Sequence, residues 1–349
     1  MSQLRLAIAC AITAVAACGG GNSSDPTDAG TDAANDASFT TGTYTATWGP
    51  YTIPPGTEDT RCVEVKLGNT DNIQVHEINN VLGTASHHFI VYRKADGPEQ
   101  TTPTPCNPFT GTLDPANGAP LMITQRGDET LTLPEGVVFT LKPNQLIRLE
   151  LHYVNPSDEP VTVEARAEFR TVLGANQEAD FIFAGTPDID LPSGTQTQTV
   201  GPTYLPLVGL EGANVFAITG HTHQLGKTVT VATATSETDP GTQVYGPANF
   251  NWDEPETTYH TPSFQIPQNG GFRFSCTYVN NTGRRVGFGE GVDDEMCFFW
   301  LYYYPSQGAK VCAHSDQFNQ PTGIDVCCPA AEGDVVSAAA CQYLRNGGF

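Results

Sequence analysis

Over residues 147–153 every second side chain is apolar: Ile147, Leu149, Leu151 and Tyr153 fall on one side of an extended chain, Arg148, Glu150 and His152 on the other. Val161, Val163, Ala165, Ala167 and Phe169 repeat the period, with Thr162, Glu164, Arg166, Glu168 and Arg170 facing away. A two-residue period is the signature of a strand and does not fit a helix. The intervening Asn155-Pro156-Ser157-Asp158-Glu159-Pro160 is turn chemistry, so the two runs are expected as adjacent antiparallel strands. Further strand-like runs stand at 213–218, 227–233, 272–279 and Cys297–Tyr304. Thirty-five glycines, 26 prolines and only 15% charged residues suit many short strands joined by turns. The chain is therefore expected to be all-β. At 349 residues it exceeds what one core usually supports, which points to two packed antiparallel β-sandwich domains. The turn-rich stretch 174–212 holds the expected boundary, giving domains at 43–175 and 176–305. Beyond Pro305 a Cys-rich tail, 306–349, is expected as a disulfide-stapled appendage with a short helix over 335–344. No repeat of 20–50 residues is evident, which removes solenoids and propellers.

A net charge of −22 without any basic patch excludes nucleic acid as a partner. Arg5 precedes an apolar stretch, 6–17, too short to cross a bilayer, and Val15-Ala16-Ala17-Cys18 has the form of a bacterial lipobox. The expectation is a signal peptide over 1–17, lipidation of Cys18, and a chain exported and anchored to a membrane, facing the periplasm or the cell surface. An ordinary cleaved signal is the alternative. Residues 18–42, rich in Gly, Ser, Thr, Ala and Asp, bury too little to fold and read as a tether. Without Cys10 and Cys18, eight cysteines remain, an even number that suits disulfides in an exported chain. Sulfur held in disulfides cannot ligate a metal, so ligands are to be sought among other residues.

Five of the eight histidines fall in three compact settings: His87-His88, His152, and His221-Thr222-His223. A His-x-His on a strand directs both imidazoles to one face, so His221 and His223 can grip one ion. Vicinal histidines point to opposite faces of a regular strand and share an ion only at a strand end or a twisted edge. Phe89-Ile90-Val91-Tyr92 is strand-like and Thr84-Ala85-Ser86 loop-like, which places His87 and His88 at such an entrance. His152 lies on the polar side of its run, as a ligand or as an exposed side chain. Met296, among Asp293, Asp294, Glu295 and Cys297, is not an obvious core residue.

The segments Ser86-His87-His88-Phe89, Leu149-Glu150-Leu151-His152-Tyr153, Gly220-His221-Thr222-His223-Gln224-Leu225-Gly226-Lys227, Ser275-Cys276-Thr277-Tyr278 and Glu295-Met296-Cys297 together resemble the ascorbate-dependent type II copper monooxygenases. That family contains dopamine β-hydroxylase and the peptidylglycine α-hydroxylating enzyme. Order and approximate spacing match from about residue 60 to residue 305, and the Met296 to Pro305 segment is most similar to the dopamine β-hydroxylase branch. The resemblance implies two jelly-roll-like sandwiches, each holding one copper, facing each other across a solvent-filled cleft. It implies an electron-supplying copper on His87, His88 and His152. It implies an oxygen-activating copper on His221, His223 and Met296, and a disulfide between Cys276 and Cys297. Imidazole with a soft thioether independently favours Cu(I) over zinc or the hard cations.

The chain departs from the amidating branch where the substrate is held. That branch has an Arg two residues before the His-x-His, and an Asn and a Tyr two and four residues after the Met; here those positions are Thr219, Phe298 and Trp300. A polar clamp has become largely aromatic, which argues against peptide amidation and for a small uncharged or aromatic substrate. The expected activity is insertion of one oxygen atom of O₂ into a C–H bond, with ascorbate or another one-electron reductant. A non-catalytic copper-binding or copper-storage lipoprotein is the first alternative. A β-sandwich adhesion or carbohydrate-binding module with incidental histidines is the second.

Overall fold

The structure, a computed structural model, describes residues 39–106, 117–318, 323–330 and 341. Cys18, the signal stretch, the tether up to residue 38 and almost all of 335–344 lie outside the described residues. Everything described belongs to one compact unit running from Ala37.

Among the described residues, eleven strands precede residue 179 and twelve come after it. They are β1 (Thr43–Ile53), β2 (Thr57–Lys66), β3 (Ile73–Leu82), β4 (Ser86–Lys94), β5 (Gln100–Pro105) and β6 (Ala119–Thr124). Then come β7 (Asp128–Thr132), β8 (Val137–Leu141), β9 (Leu146–Asn155), β10 (Val161–Val172) and β11 (Gln177–Glu178). One sheet runs β1-β10-β3-β8-β11, with β7 also on β3; the other runs β5-β2-β9-β4-β6. Their shared core holds Trp48, Ile78, Phe89, Phe139, Leu149, Leu151 and Phe169. Trp48 is fully buried because its indole N–H donates to Arg61 O at 3.0 Å, which satisfies its one polar atom.

Twelve strands follow. They begin with β12 (Asp180–Thr186), β13 (Asp190–Leu191), β14 (Gln198–Pro206), β15 (Asn214–His221), β16 (Gly226–Ala234) and β17 (Thr242–Tyr245). They end with β18 (Thr258–Gln265), β19 (Gly271–Tyr278), β20 (Val286–Gly287), β21 (Cys297–Tyr304), β22 (Lys310–Ser315) and β23 (Ile324–Pro329). Their sheets run β18-β15-β21-β12-β22-β23 and β14-β19-β16-β17, with a small β13-β20 pair. Leu205, Val215, Ile218, Val231, Phe272, Phe274 and Phe299 fill the core between them. No sheet among the described residues mixes strands from the two sides of residue 179. The all-β, largely antiparallel sandwich architecture is thus what the alternation predicts.

Three sequence expectations change. The runs at 147–153 and 161–169 are not neighbours: β9 pairs β2 and β4 in one sheet, while β10 pairs β1 and β3 in the other. Alternation fixes which face is apolar but not which strand lies alongside. The deciding element is the arch at 155–160, where Asn155 Nδ2 donates to Ile53 O, Pro54 O and Glu159 O at 3.3, 3.1 and 2.9 Å and carries the chain between sheets. The stretch 174–212 holds four strands, β11 to β14; two have only two residues and β14 is largely exposed or half-buried, so only β12, buried along its whole length, is strongly placed. The Cys-rich tail is not an appendage either. β22 pairs parallel with β12 and β23 extends the sheet, because Val311 and Ala313 are buried in a core.

The eight cysteines form Cys62–Cys106, Cys276–Cys297, Cys312–Cys327 and Cys328–Cys341. Cys276–Cys297 ties β19 to the first residue of β21, next to Met296. A Cys276→Ala/Cys297→Ala double variant is expected to lose about 3 kcal/mol of stability from closure of a short loop. Denaturant unfolding measures this, and a loss below about 1 kcal/mol would show that the covalent tie constrains little.

Candidate metal centre

His88 and His152 are directly opposed across the β4–β9 pair, their ring centroids 4.9 Å apart. One step further Ser86 faces Tyr153, so His87 is the extra residue of a β-bulge. A bulge turns a side chain that would otherwise point to the far face. His87 thereby joins the other two, with its ring 5.3 Å from His152 and 5.6 Å from His88. One ring nitrogen from each of the three lies within 4.8 Å of the others. His87 Nε2, His88 Nε2 and His152 Nδ1 are buried and make no hydrogen bond. Leaving a buried polar atom unpaired costs about 1–3 kcal/mol each. Three such atoms converging on one point describe a ligand cage. The opposite nitrogen of His152 meets Glu58 Oε1 at 3.0 Å, and that of His87 lies 3.7 Å from Asp253 Oδ1. Such outer partners fix ring orientation at metal sites.

His221 is the last residue of β15 and His223 stands just past it, so only half of the His-x-His lies on a strand. Their rings are 5.2 Å apart and nearly perpendicular. The turn after them closes with Gly226 N donating to His223 O at 3.0 Å, and a Cβ at 226 would stand 1.9 Å from Thr222 Oγ1. Glycine is required there by close approach. Buried Glu295 accepts His223 N at 2.9 Å and Leu225 N at 2.7 Å, clamping this turn to the chain just before β21. The β15–β21 ladder ends with His221 facing Phe298, short of His223 and Met296, and Met296 belongs to a hydrophobic core cluster where the sequence suggested it was not a core residue. Met296 is buried, and its carbonyl accepts the Tyr278 hydroxyl at 2.6 Å.

Burial pushes the His88 and His221 imidazoles well below their ordinary values and His223 down to about 4. At neutral pH these three rings are uncharged, as metal ligands must be. Burial raises Glu295 to about 7 against the pull of its backbone donors. The hydrogen bond with His152 lowers Glu58, and His87 lowers Asp253. The five imidazoles are donors of a kind that suits copper among the transition metals.

The two clusters adjoin, with the His87 ring 6.5 Å from that of His223. This corrects the open cleft that the resemblance implies. The halves interlock through polar groups: Val292 N donates to Glu58 Oε1 at 3.3 Å, and Gln125 Oε1 meets His221 Nδ1 at 2.8 Å. Trp252 lies 5.9 Å from the His87 ring and Trp300 6.1 Å from His221, so indoles flank both clusters. Phe298 instead stacks on Phe183 at 4.8 Å, and Thr219 is hydrogen-bonded to Thr257 at 2.8 Å. The polar run around Arg148 is buried as well: Arg148 pairs with Glu150 at 3.0 Å, and Glu150 also accepts the Tyr92 hydroxyl.

The structure thus brings His87, His88 and His152 into one cage and sets His221 and His223 beside it. Sequence reading missed Glu58, Gln125, Trp252 and Asp253. None lies near a ligand in the chain. Glu295 had a signal, an acid immediately before Met296, without an assignable role.

Residues 196–321 match the family described as "Copper type II ascorbate-dependent monooxygenase, C-terminal domain". The chain is also similar to a tyramine beta-hydroxylase of Caenorhabditis briggsae, 34% identical over 113 residues. That match covers 29% of this chain and 17% of the relative, so the chain spans only a small part of that protein's length. Among solved structures it is similar to the major capsid protein P2 of bacteriophage PM2, at 10% identity over 76% of this chain and 98% of the other. The TM-score is 0.34, and nothing is built on that likeness.

Proposed function

We propose, for a chain that belongs through residues 196–321 to the copper type II ascorbate-dependent monooxygenases, a two-site copper monooxygenase acting on a C–H bond of a small uncharged or aromatic substrate. The observation that carries this reading is the cage of three unpartnered imidazole nitrogens lying against the His-x-His of the matched domain. His87, His88 and His152 would hold one copper; His221, His223 and Met296 would hold the other. Bound copper would supply one-electron chemistry with O₂, drawing on ascorbate or another one-electron donor. The residues supply the rest. Glu58 and Asp253 orient the imidazoles of the cage, Glu295 fixes the turn bearing His223, half-buried Trp252 offers flat apolar surface for a substrate, and buried Trp300 backs His221 and restricts water.

Purified protein reconstituted with copper is expected to retain about two equivalents per chain and to consume O₂ continuously with a reductant and an accepted substrate. Copper retained without sustained O₂ consumption would favour a storage protein. A copper content near zero would remove both readings and leave an adhesion or carbohydrate-binding module.

The same proposal includes export and lipid anchoring at Cys18, by which the enzyme would meet its substrate outside the cytoplasm. Cys18→Ser is expected to abolish acylation, giving soluble protein or an unprocessed precursor in fractionation. Unchanged lipid labelling of the variant would overturn the anchoring proposal.

A further inference from the structure

We infer that Gln125, the residue just past β6 in the first half, is a positioning residue for His221 in the second half, and that it selects the imidazole tautomer able to bind metal. The inference rests on the reading of His221 as a ligand. Gln125 is buried, and both ends of its amide are engaged. Nε2 donates to the Trp252 carbonyl at 3.3 Å, and Oε1 lies 2.8 Å from His221 Nδ1.

The orientation of this amide follows from its partners. A carbonyl only accepts, so the side of Gln125 facing Trp252 O must be the NH₂ group. The opposite side is then the amide oxygen, which also only accepts. His221 Nδ1 must therefore carry the proton and donate it to Gln125 Oε1. In a neutral imidazole this leaves the lone pair on Nε2. The His221 ring stands 5.2 Å from that of His223.

The chain of contacts has a second end. Trp252 is next to Asp253, and these two residues approach His87 with an indole and a carboxylate. Gln125 thus ties the loop bearing an outer partner of the three-histidine cage to a ligand of the neighbouring cluster. Hydrogen-bonded partners of metal-ligating histidines commonly change metal affinity about 10–100-fold when removed.

The test uses the full metal-free protein and two variants. Long-range ¹⁵N–¹H correlation of the imidazoles is expected to show His221 protonated at Nδ1 in the wild type and in Gln125→Glu, which keeps an acceptor. Gln125→Leu removes the acceptor at similar volume and should shift His221 toward the Nε2–H form. Competition with a Cu(I) chelator should then show about 10–100-fold weaker binding at the second site of Gln125→Leu, with the first site changed less than about twofold. Far-UV circular dichroism and the thermal midpoint confirm that the variant is folded. An Nε2–H tautomer in the wild type, or an unchanged tautomer in folded Gln125→Leu, overturns the inference. A wild type that shows the expected tautomer but binds no copper sustains the positioning of His221 by Gln125 and overturns the proposed function, and with it the reading of His221 as a ligand.

Discussion

His152→Ala is expected to reduce bound copper from about two equivalents per chain to about one and to stop turnover. Among the described residues the cage is made of three nitrogens, from His87, His88 and His152, and Glu58 and Asp253 meet its rings from outside. Removing His152 leaves a vicinal pair, of which His87 is presented only by a bulge. It also leaves Glu58 without the imidazole it bonds at 3.0 Å. Elemental analysis after dialysis against a weak chelator gives the copper count, and O₂ consumption with reductant gives turnover. The remaining copper should be at the second site, so a second variant at His221 should bind the complementary equivalent. A His152→Ala protein that keeps both equivalents would show that this residue is not a ligand.

The strands around His152 show which parts of the architecture could be read along the chain. Apolar alternation in β9 and β10 predicts extended structure and identifies one core-facing side of each, because those properties are local. The neighbour of each strand is not local. It is set by the Asn155 arch, whose partners lie a hundred residues upstream. The polar side of β9 was also misleading about exposure: Arg148 and Glu150 are buried because they pair with each other and with Tyr92, so a charged pattern here marks an enclosed network.

The site divides in the same way. His221 and His223 were legible because two residues of spacing suffice to bring the rings together, and the bulge that unites His87 with His88 satisfies the condition that adjacent histidines impose. Gln125 and Asp253 carry no comparable mark. Each becomes meaningful only when the two sets of sheets meet, which brings His87 within 6.5 Å of His223. That approach departs from the solvent-filled cleft that the family resemblance implies. The polar contacts crossing it, from Gln125 to His221 and from Val292 to Glu58, specify a closed arrangement in place of a wide cleft.

Met296→His is expected to keep copper at the second site while lowering hydroxylation at least about 100-fold, since the two functions of the ligand separate. Imidazole is a harder and stronger donor than a thioether, so affinity should hold or rise. The thioether favours Cu(I), the state required to meet dioxygen, and that preference is lost in the variant. Local structure limits other consequences of the change. Cys297 is tied to Cys276, Glu295 is held by two backbone N–H groups, and the Met296 carbonyl accepts from Tyr278, so the backbone at 296 stays in place while the side chain changes. Glu295, the neighbour of residue 296, holds the turn bearing His223, so the new imidazole is expected to approach the same ion. Copper content, the Cu(II) electron paramagnetic resonance spectrum and O₂ consumption are measured on one preparation. An altered spectrum with full copper and lost turnover is the expected combination. Normal hydroxylation, or a spectrum identical to the wild type, would show that residue 296 does not reach the metal and that the second site lacks its thioether.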